Sequence, residues 1–249
     1  MSIPLSLCDF MNNRIDFVII VFIMVIGVFL GYSLQNQQIY YTQSTFEPAK
    51  VNMLLAAVDD KGNGIVIPLI VEAKPGNGKV LTNIDKLLFW VDTQQSIQIA
   101  KTIAESVTKI NTNSIDLVYT IQAGNVTLLG GPSAGAAITL ATIAVLQNKT
   151  LNEDVMITGT INDDGTIGPV GAVLPKAVAA KEAGAEIFLV PDGESSESYL
   201  RPQERCSKRF GVVYCETSYK RINIDISQEA GIQVIEVSDV YEAMKYLIV

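Results

Sequence analysis

Histidine is absent from all 249 residues of this chain. Without it there can be no Ser-His-Asp triad and no Cys-His dyad, and the most frequent zinc ligand is missing as well. Cysteine is scarce, and Cys8, Cys206 and Cys215 form no CxxC pair, which argues against a metal cluster. A general base in this chain must therefore be a lysine, a carboxylate or an amino terminus, and we predict no metal and no other cofactor.

Basic residues are outnumbered, with 18 against 26 acidic residues and a formal net charge of −8. No block of lysine or arginine stands out, which argues against a nucleic-acid partner. Cys206 and Cys215 are close in sequence, and they either form a bridge or remain two free thiols.

Charged residues are missing between Asp16 and Glu47. The apolar run 17–34 would span about 27 Å as a helix, which is enough to cross a bilayer. A cleaved signal peptide is the alternative, with Gly31-Tyr32-Ser33 as its cleavage site, but the run is long for one. Arg14 precedes the run and no basic residue follows until Lys50, which favours a cytoplasmic N-terminus and a body outside the cell membrane.

The chain is thus divided into four predicted parts. These are a tail at 1–16, a single-pass transmembrane helix or signal anchor at 17–34, a polar linker at 35–50 and one folded domain at 51–249. Strand and helix patterns mix in the domain without strict alternation, which predicts the α+β class. The predicted strands are Val51–Val58, Gly64–Ala73, Asp116–Gln122, Val155–Ile161, Glu186–Val190 and Ile232–Val237. The predicted helices are Asp92–Ile110, Pro132–Gln147, Pro175–Ala183 and Ser238–Leu247.

The first candidate for chemistry is Ser133, in the string Gly-Gly-Pro-Ser-Ala-Gly that precedes an alanine-rich helix. This pattern predicts a tight turn entering a helix, and Pro132 suits a first helical turn. The opening N–H groups of a helix point outward beside the positive end of its dipole, so a serine there has donors for an oxyanion nearby. The alternative is a plain serine cap with glycines for close packing.

The second candidate is Lys176, in the first turn of the predicted helix Pro175–Ala183. The positive end of the helix dipole and the apolar neighbours both favour a neutral amine, the form that a general base needs. The alternative is a surface lysine that extends from a helix end into water.

The third candidate is Thr158, at the end of an apolar strand. A hydroxyl there could orient a lysine amine. The alternative is an ordinary β-branched strand residue.

The string Gly131-Pro132-Ser133-Ala134-Gly135 resembles the nucleophile motif of the Lon peptidase family. In that family a catalytic lysine follows the serine by 43 residues and a supporting threonine by 25, and Lys176 and Thr158 stand at those distances. The glycine-rich stretch from Thr158 to Gly171 is also similar. The resemblance runs from about Val51 to Val190 and resumes at Ile232–Leu247, so Tyr199–Asp225 is predicted to be an insertion.

The resemblance implies a Lon-type proteolytic domain in which Ser133 is the nucleophile, Lys176 the general base and Thr158 its support. The backbone expected to hold the oxyanion is that of Gly131, Pro132 and Ala134. It also implies polypeptide substrates and a homo-oligomer, because related domains form six-membered rings. The chain resembles the shorter archaeal relatives without an ATPase, and it contains no GxxxxGK[ST] string. We therefore predict ATP-independent hydrolysis of unfolded proteins or peptides.

Two other functions remain open from the sequence. A small-molecule kinase could use the glycine-rich loop for phosphate, although the loop offers no carboxylate for magnesium. A non-catalytic, membrane-anchored scaffold could keep the same fold.

Overall fold

The computed structural model describes residues 21–30, 46–84, 88–89, 91–122, 128–129 and 131–249. The chain divides into two units, Met1–Thr45 and Phe46–Val249. In the first unit, residues 21–30 form helix α1, whose side chains are exposed. The tail, both ends of the predicted anchor and most of the predicted linker lie outside the described residues. No helix in the described part of the chain is both long and apolar enough to cross a membrane.

The second unit begins with a long hairpin. Strand β1 (Ala49–Val58) pairs antiparallel with β2 (Gly64–Pro75) along its whole length. The side chains of β1 alternate between core and surface over its first half, as expected for a half-buried strand. The turn between the strands is closed by the Asp59 carboxylate, which accepts hydrogen bonds from the N–H groups of Lys61 and Asn63. The Asn63 side-chain amide donates a further bond, which is the largest cause of the lowered pKa of Asp59, ahead of the backbone bonds.

The hairpin is part of a four-stranded sheet with the order β1-β2-β5-β3. Strand β3 (Val80–Ile84) is parallel to β5 (Ile115–Ile121), and β5 is antiparallel to β2. Parallel neighbours need a crossover connection, and helix α2 (Val91–Thr108) lies in it. The two-residue strands β4 (Leu88–Phe89) and β6 (Leu128–Leu129) form a separate parallel pair.

Helix α3 (Gly135–Leu146) forms the centre of the larger core, and each of its residues is buried. It packs against α2 and against β1 and β2, so no face of it meets water. Its two threonines satisfy their hydroxyls inside the core by donating to backbone carbonyls one turn earlier.

A second, parallel sheet has the order β13-β10-β7. Its strands are β7 (Val155–Ile157), β10 (Ile187–Pro191) and β13 (Gln233–Val237). Its helices are α4 (Val173–Glu182), α5 (Ile226–Ala230) and α6 (Val240–Leu247). Strands β8 (Thr160–Ile161) and β9 (Ile167–Gly168) form a short antiparallel pair. Helix α4 packs against β1 and β2, and it contributes to a second core cluster.

An extended hairpin leaves the domain between β10 and α5. Strand β11 (Ser196–Arg209) pairs antiparallel with β12 (Val212–Asp225), and the described side chains between residues 198 and 221 are exposed. Cys206 lies opposite Cys215 in this register and forms a disulfide bond with it. The structure thus has the bridge, which the sequence left open beside two free thiols. The stretch predicted to be an insertion lies within this hairpin.

The prediction of a mixed fold of helices and strands is confirmed, with differences at element ends. The predicted strand Val155–Ile161 is two strands, because β7 pairs with β10 whereas β8 pairs with β9. Thr158 and Gly159 separate the two strands, and an added Cβ on Gly159 would lie 2.4 Å from the Ile167 side chain. Strand β1 begins at Ala49, two residues inside the predicted linker.

Candidate active site

Ser133 lies in a short 3-10 turn, Pro132–Ala134, that leads into α3. The predicted helix Pro132–Gln147 is therefore wrong at its start, since α3 begins only at Gly135. Gly131 precedes the turn with φ 96° and ψ 156°, a conformation that essentially only glycine adopts. The Ser133 side chain is half-buried. Pro132 has no N–H group, so it fixes the turn but cannot donate to an oxyanion as predicted.

A small cavity of about 20 Å³ lies beside Ser133. Among the described residues, its walls come from β1, α2, β5 and the start of α3, and they are mostly small or aliphatic. They are Leu55, Ala56, Ala57, Thr93, Ile121, Gly131, Ala134 and Ile138. The hydroxyl-bearing turn thus borders a narrow apolar recess.

The chain segment after β7 is fastened to the Ser133 turn. The N–H group of Gly159 donates to the carbonyl oxygen of Ser133 at 3.0 Å, and the Gly159 carbonyl accepts from the N–H of Ala136 at 3.0 Å. The Thr158 hydroxyl donates to the same Ser133 oxygen at 3.4 Å. Thr158 is fully buried, and its N–H donates to Leu189 of β10. The backbone of Ser133 is therefore tied to the parallel sheet.

Lys176 is only 3% exposed and lies on α4. Its amine donates to the Thr158 hydroxyl oxygen at 3.4 Å. Burial lowers the pKa of Lys176 from 10.5 to about 8, and the negative charges of Glu194 and Glu197 oppose part of this shift. A substantial fraction of this amine is consequently neutral in mildly alkaline solution, which an exposed lysine would not be.

Helix α4 begins at Val173, two residues before the predicted start. Lys176 is therefore the fourth residue of the helix and not the second, and burial is the largest cause of its lowered pKa.

The structure brings Ser133, Thr158 and Lys176 together through Thr158, which touches both of the others. Within the described part of the chain, the Ser133 hydroxyl makes no hydrogen bond to the Lys176 amine. The contact of Thr158 is instead with the backbone of Ser133. The arrangement supplies a hydroxyl beside a cavity and a buried amine with a lowered pKa, which are the two parts that nucleophilic catalysis needs.

Two carboxylates that act on the amine were not predicted from the sequence. Glu194 follows β10 and Glu197 lies on β11. Glu194 accepts from the N–H of Val170, and Glu197 accepts from the first N–H groups of α4. One signal could have indicated them: residue 172, before the helix, is an alanine, so the helix needs an acceptor from elsewhere in the chain.

Residues 64–218, more than half of the chain, match the family of the Lon protease (S16) C-terminal proteolytic domain. A Lon protease of Phenylobacterium zucineum is 33% identical over 141 residues, which are 55% of this chain and 18% of that protein. The peroxisomal Lon protease homolog 2 of Caenorhabditis elegans is 29% identical over 160 residues, 62% of this chain and 20% of that protein. An archaeal Lon protease of Thermoplasma acidophilum is 28% identical over 176 residues, 68% of this chain and 26% of that protein.

The chain belongs to the family of Lon protease proteolytic domains. It spans only about a fifth to a quarter of the length of these relatives.

Proposed function

We propose that this chain is a serine peptidase in which Ser133 is the nucleophile and Lys176 the general base. The observation that supports this most directly is the buried Lys176 amine, whose pKa is lowered to about 8 and whose hydrogen bond leads through Thr158 to Ser133. Desolvation of an amine is the usual way in which a protein prepares a lysine to accept a proton near neutral pH.

In the proposed reaction, the neutral amine of Lys176 takes the proton of the Ser133 hydroxyl as its oxygen attacks a peptide carbonyl. The tetrahedral oxyanion is stabilised by the backbone N–H groups of Gly131 and Ala134. Lys176 then gives its proton to the leaving amine, and an acyl-enzyme remains. Lys176 deprotonates a water molecule as it attacks the ester, and then returns that proton to the Ser133 oxygen as the product leaves. Because the hydroxyl does not bond to the amine in this structure, the proposal requires that substrate binding bring the two groups within hydrogen-bonding distance.

The test is hydrolysis of casein or a fluorogenic peptide by the full chain, with Ser133→Ala, Lys176→Ala and Lys181→Ala variants. Lys181 is the matched control, an exposed lysine on the same helix. We expect the first two changes to remove nearly all activity, because such residues act as a unit, and the third to change it little. Activity should rise as pH passes about 8, where Lys176 loses its proton. Near-normal turnover in Lys176→Ala would exclude lysine as the base.

The proposal also covers the folded state of the substrate and the need for ATP. The sequence contains no GxxxxGK[ST] string for an unfolding motor. Folded domains resist opening by about 5–15 kcal/mol, so we propose hydrolysis of unfolded proteins or peptides without ATP. Strict dependence of casein cleavage on ATP would contradict this part.

We propose further that the apolar run 17–34 tethers the protein to the cell membrane, with the catalytic domain outside. Its support is the length of the uncharged run and the position of Arg14 before it. Protease treatment of intact cells should then remove the domain and leave a small fragment. Recovery of the full-length protein in the soluble fraction would exclude the anchor.

Related domains form six-membered rings, and we propose a homo-oligomer here, to be tested by light scattering.

A further inference from the structure

The helix that carries Lys176 has no cap of its own. Ala172 occupies the position before α4 with φ 56° and ψ 48°, a left-handed conformation that is uncommon for alanine. Its side chain cannot accept a hydrogen bond, so the first N–H groups of α4 depend on a partner from elsewhere.

That partner is Glu197, which lies 24 residues after Val173, at the base of the β11–β12 hairpin. One oxygen of its carboxylate accepts from the N–H of Val173 at 2.7 Å and from the N–H of Leu174 at 3.3 Å. A carboxylate at this end of a helix both satisfies the free donors and complements the helix dipole. Lys176 follows Leu174 by only two residues, within the same turn.

A second carboxylate holds the chain on the other side of Ala172. Both oxygens of Glu194 lie within hydrogen-bonding distance of the Val170 N–H, at 3.0 and 3.2 Å. The segment bearing the two glutamates is fastened in turn, because Glu236 of β13 accepts from the N–H of Ser195 at 3.0 Å. The left-handed turn into α4 is therefore held by side chains from outside it.

Within the described residues, the same two carboxylates are the charges that act on the Lys176 amine. Neither forms an ion pair with it in the part of the chain that the structure describes, so each acts on the amine across a longer distance. Their negative charge favours the protonated amine, whereas burial favours the neutral one. The base of the hairpin thus affects both the position and the proton affinity of Lys176.

We propose that Glu197 is a positioning residue for the peptidase reaction, which caps the Lys176 helix from outside and holds the amine beside Thr158. This inference rests on the proposed function only for its effect on turnover. Its effects on the helix and on the amine are measurable without catalysis.

The experiment compares Glu197→Gln and Glu197→Ala in the full chain, with Glu204→Gln as the matched control. Glu204 lies on the same strand but is exposed. Glutamine keeps an acceptor oxygen for the helix and removes the charge, whereas alanine removes both. Three properties are measured. The first is the pH dependence of Lys176 acetylation by trace acetic anhydride, which mass spectrometry quantifies. The second is the hydrogen exchange of the α4 N-terminal amides, and the third is kcat as a function of pH.

For Glu197→Gln we expect the midpoint of Lys176 acetylation, and the rising limb of kcat, to move down by on the order of half a pH unit. This is less than a directly paired charge would cause. Its maximal kcat should stay within about threefold of the unchanged protein. For Glu197→Ala we expect about tenfold faster exchange of the first α4 amides, as for a lost cap, and a kcat lower by about tenfold or more. A higher kcat in Glu197→Gln than in Glu197→Ala would separate the effect of the helix cap, which only glutamine keeps, from the effect of the charge, which both variants lose.

Unchanged acetylation and unchanged exchange in both variants would overturn the inference. The inference would also be overturned if Glu204→Gln changed acetylation and exchange as much as the Glu197 variants do. If the alanine variant does not fold, Glu197→Asp decides, because it keeps the charge and shortens the reach of the carboxylate to the helix. Unchanged exchange of the first α4 amides in that variant refutes the role, and faster exchange supports it. If the unchanged protein hydrolyses nothing, the proposed function fails, yet acetylation and exchange still test the role of Glu197.

Discussion

Replacing Lys176 with methionine is expected to stabilise the folded protein at pH 7 while removing its activity. Burial lowers the pKa of the amine from 10.5 to about 8, so a protonated Lys176 disfavours the folded state. The difference between those two values corresponds to about 3 kcal/mol. Methionine has a similar length and no charge, and the Thr158 hydroxyl can still donate to Ser133. We expect the free energy of unfolding to rise by about 1–3 kcal/mol.

The pH dependence of this gain has a definite sign. Below pH 8 the amine is protonated in both the folded and the unfolded protein, and the full penalty of burial is present. Between pH 8 and 10.5 the unfolded chain still binds a proton that the folded protein has released, so stability rises with pH. The advantage of methionine is therefore largest below pH 8 and fades toward pH 10.5.

The assay is urea denaturation of the unchanged protein, Lys176→Met and Lys181→Met at several values between pH 7 and 9.5. Lys181 is exposed on the same helix, so its replacement should leave stability nearly unchanged at each pH. A Lys176→Met variant that is less stable than the unchanged protein at pH 7 would refute the reasoning. A gain that stays constant up to pH 9.5 would show that packing, and not the buried charge, is its cause.

Three other substitutions follow from the geometry. Gly64→Ala would place a Cβ 1.8 Å from the Pro175 carbonyl oxygen, and a shift of about 1 Å next to Lys176 should lower kcat by about 100-fold. Gly171→Ala, where the added Cβ meets nothing within 4 Å, is its control, and normal kcat in Gly64→Ala would contradict the expectation. Thr158→Val removes the acceptor of the Lys176 amine, so kcat should fall about 10- to 100-fold and its rising limb should move to lower pH. An unchanged pH profile would show that Thr158 does not act on the amine. Tyr119→Phe removes the buried hydrogen bond to Thr142, whose hydroxyl still donates to the backbone of α3, so denaturation should show a loss of about 0.5–1.5 kcal/mol with kcat unchanged.

Much of the fold was predictable because many of its helices and strands have characteristic local sequence patterns. The hairpin of β1 and β2 has alternating apolar residues and a turn rich in Asp and Gly, and the helix α2 has apolar residues at helical spacing. Element ends were less predictable. The break between β7 and β8 depends on their pairing with β10 and β9, and no local pattern specifies those partners.

The hairpin of β11 and β12 was missed for a physical reason. Most of its described side chains are exposed on both faces, so burial imposes no alternation on its sequence. The disulfide bond between Cys206 and Cys215 ties the two strands together in place of a core. A structure held by pairing and a covalent bond leaves little trace in hydrophobic periodicity.

The candidate site divides in the same way between local and distant contacts. Ser133, Thr158 and Lys176 were predicted from the motif and from the spacing of the family, and the structure joins them through Thr158. The carboxylates of Glu194 and Glu197 were not, since both reach the Lys176 segment only through the fold. The buried amine shows why such distant groups matter. An amine that loses most of its hydration on burial responds to every nearby charge, so its proton affinity is set by residues that share no local sequence with it.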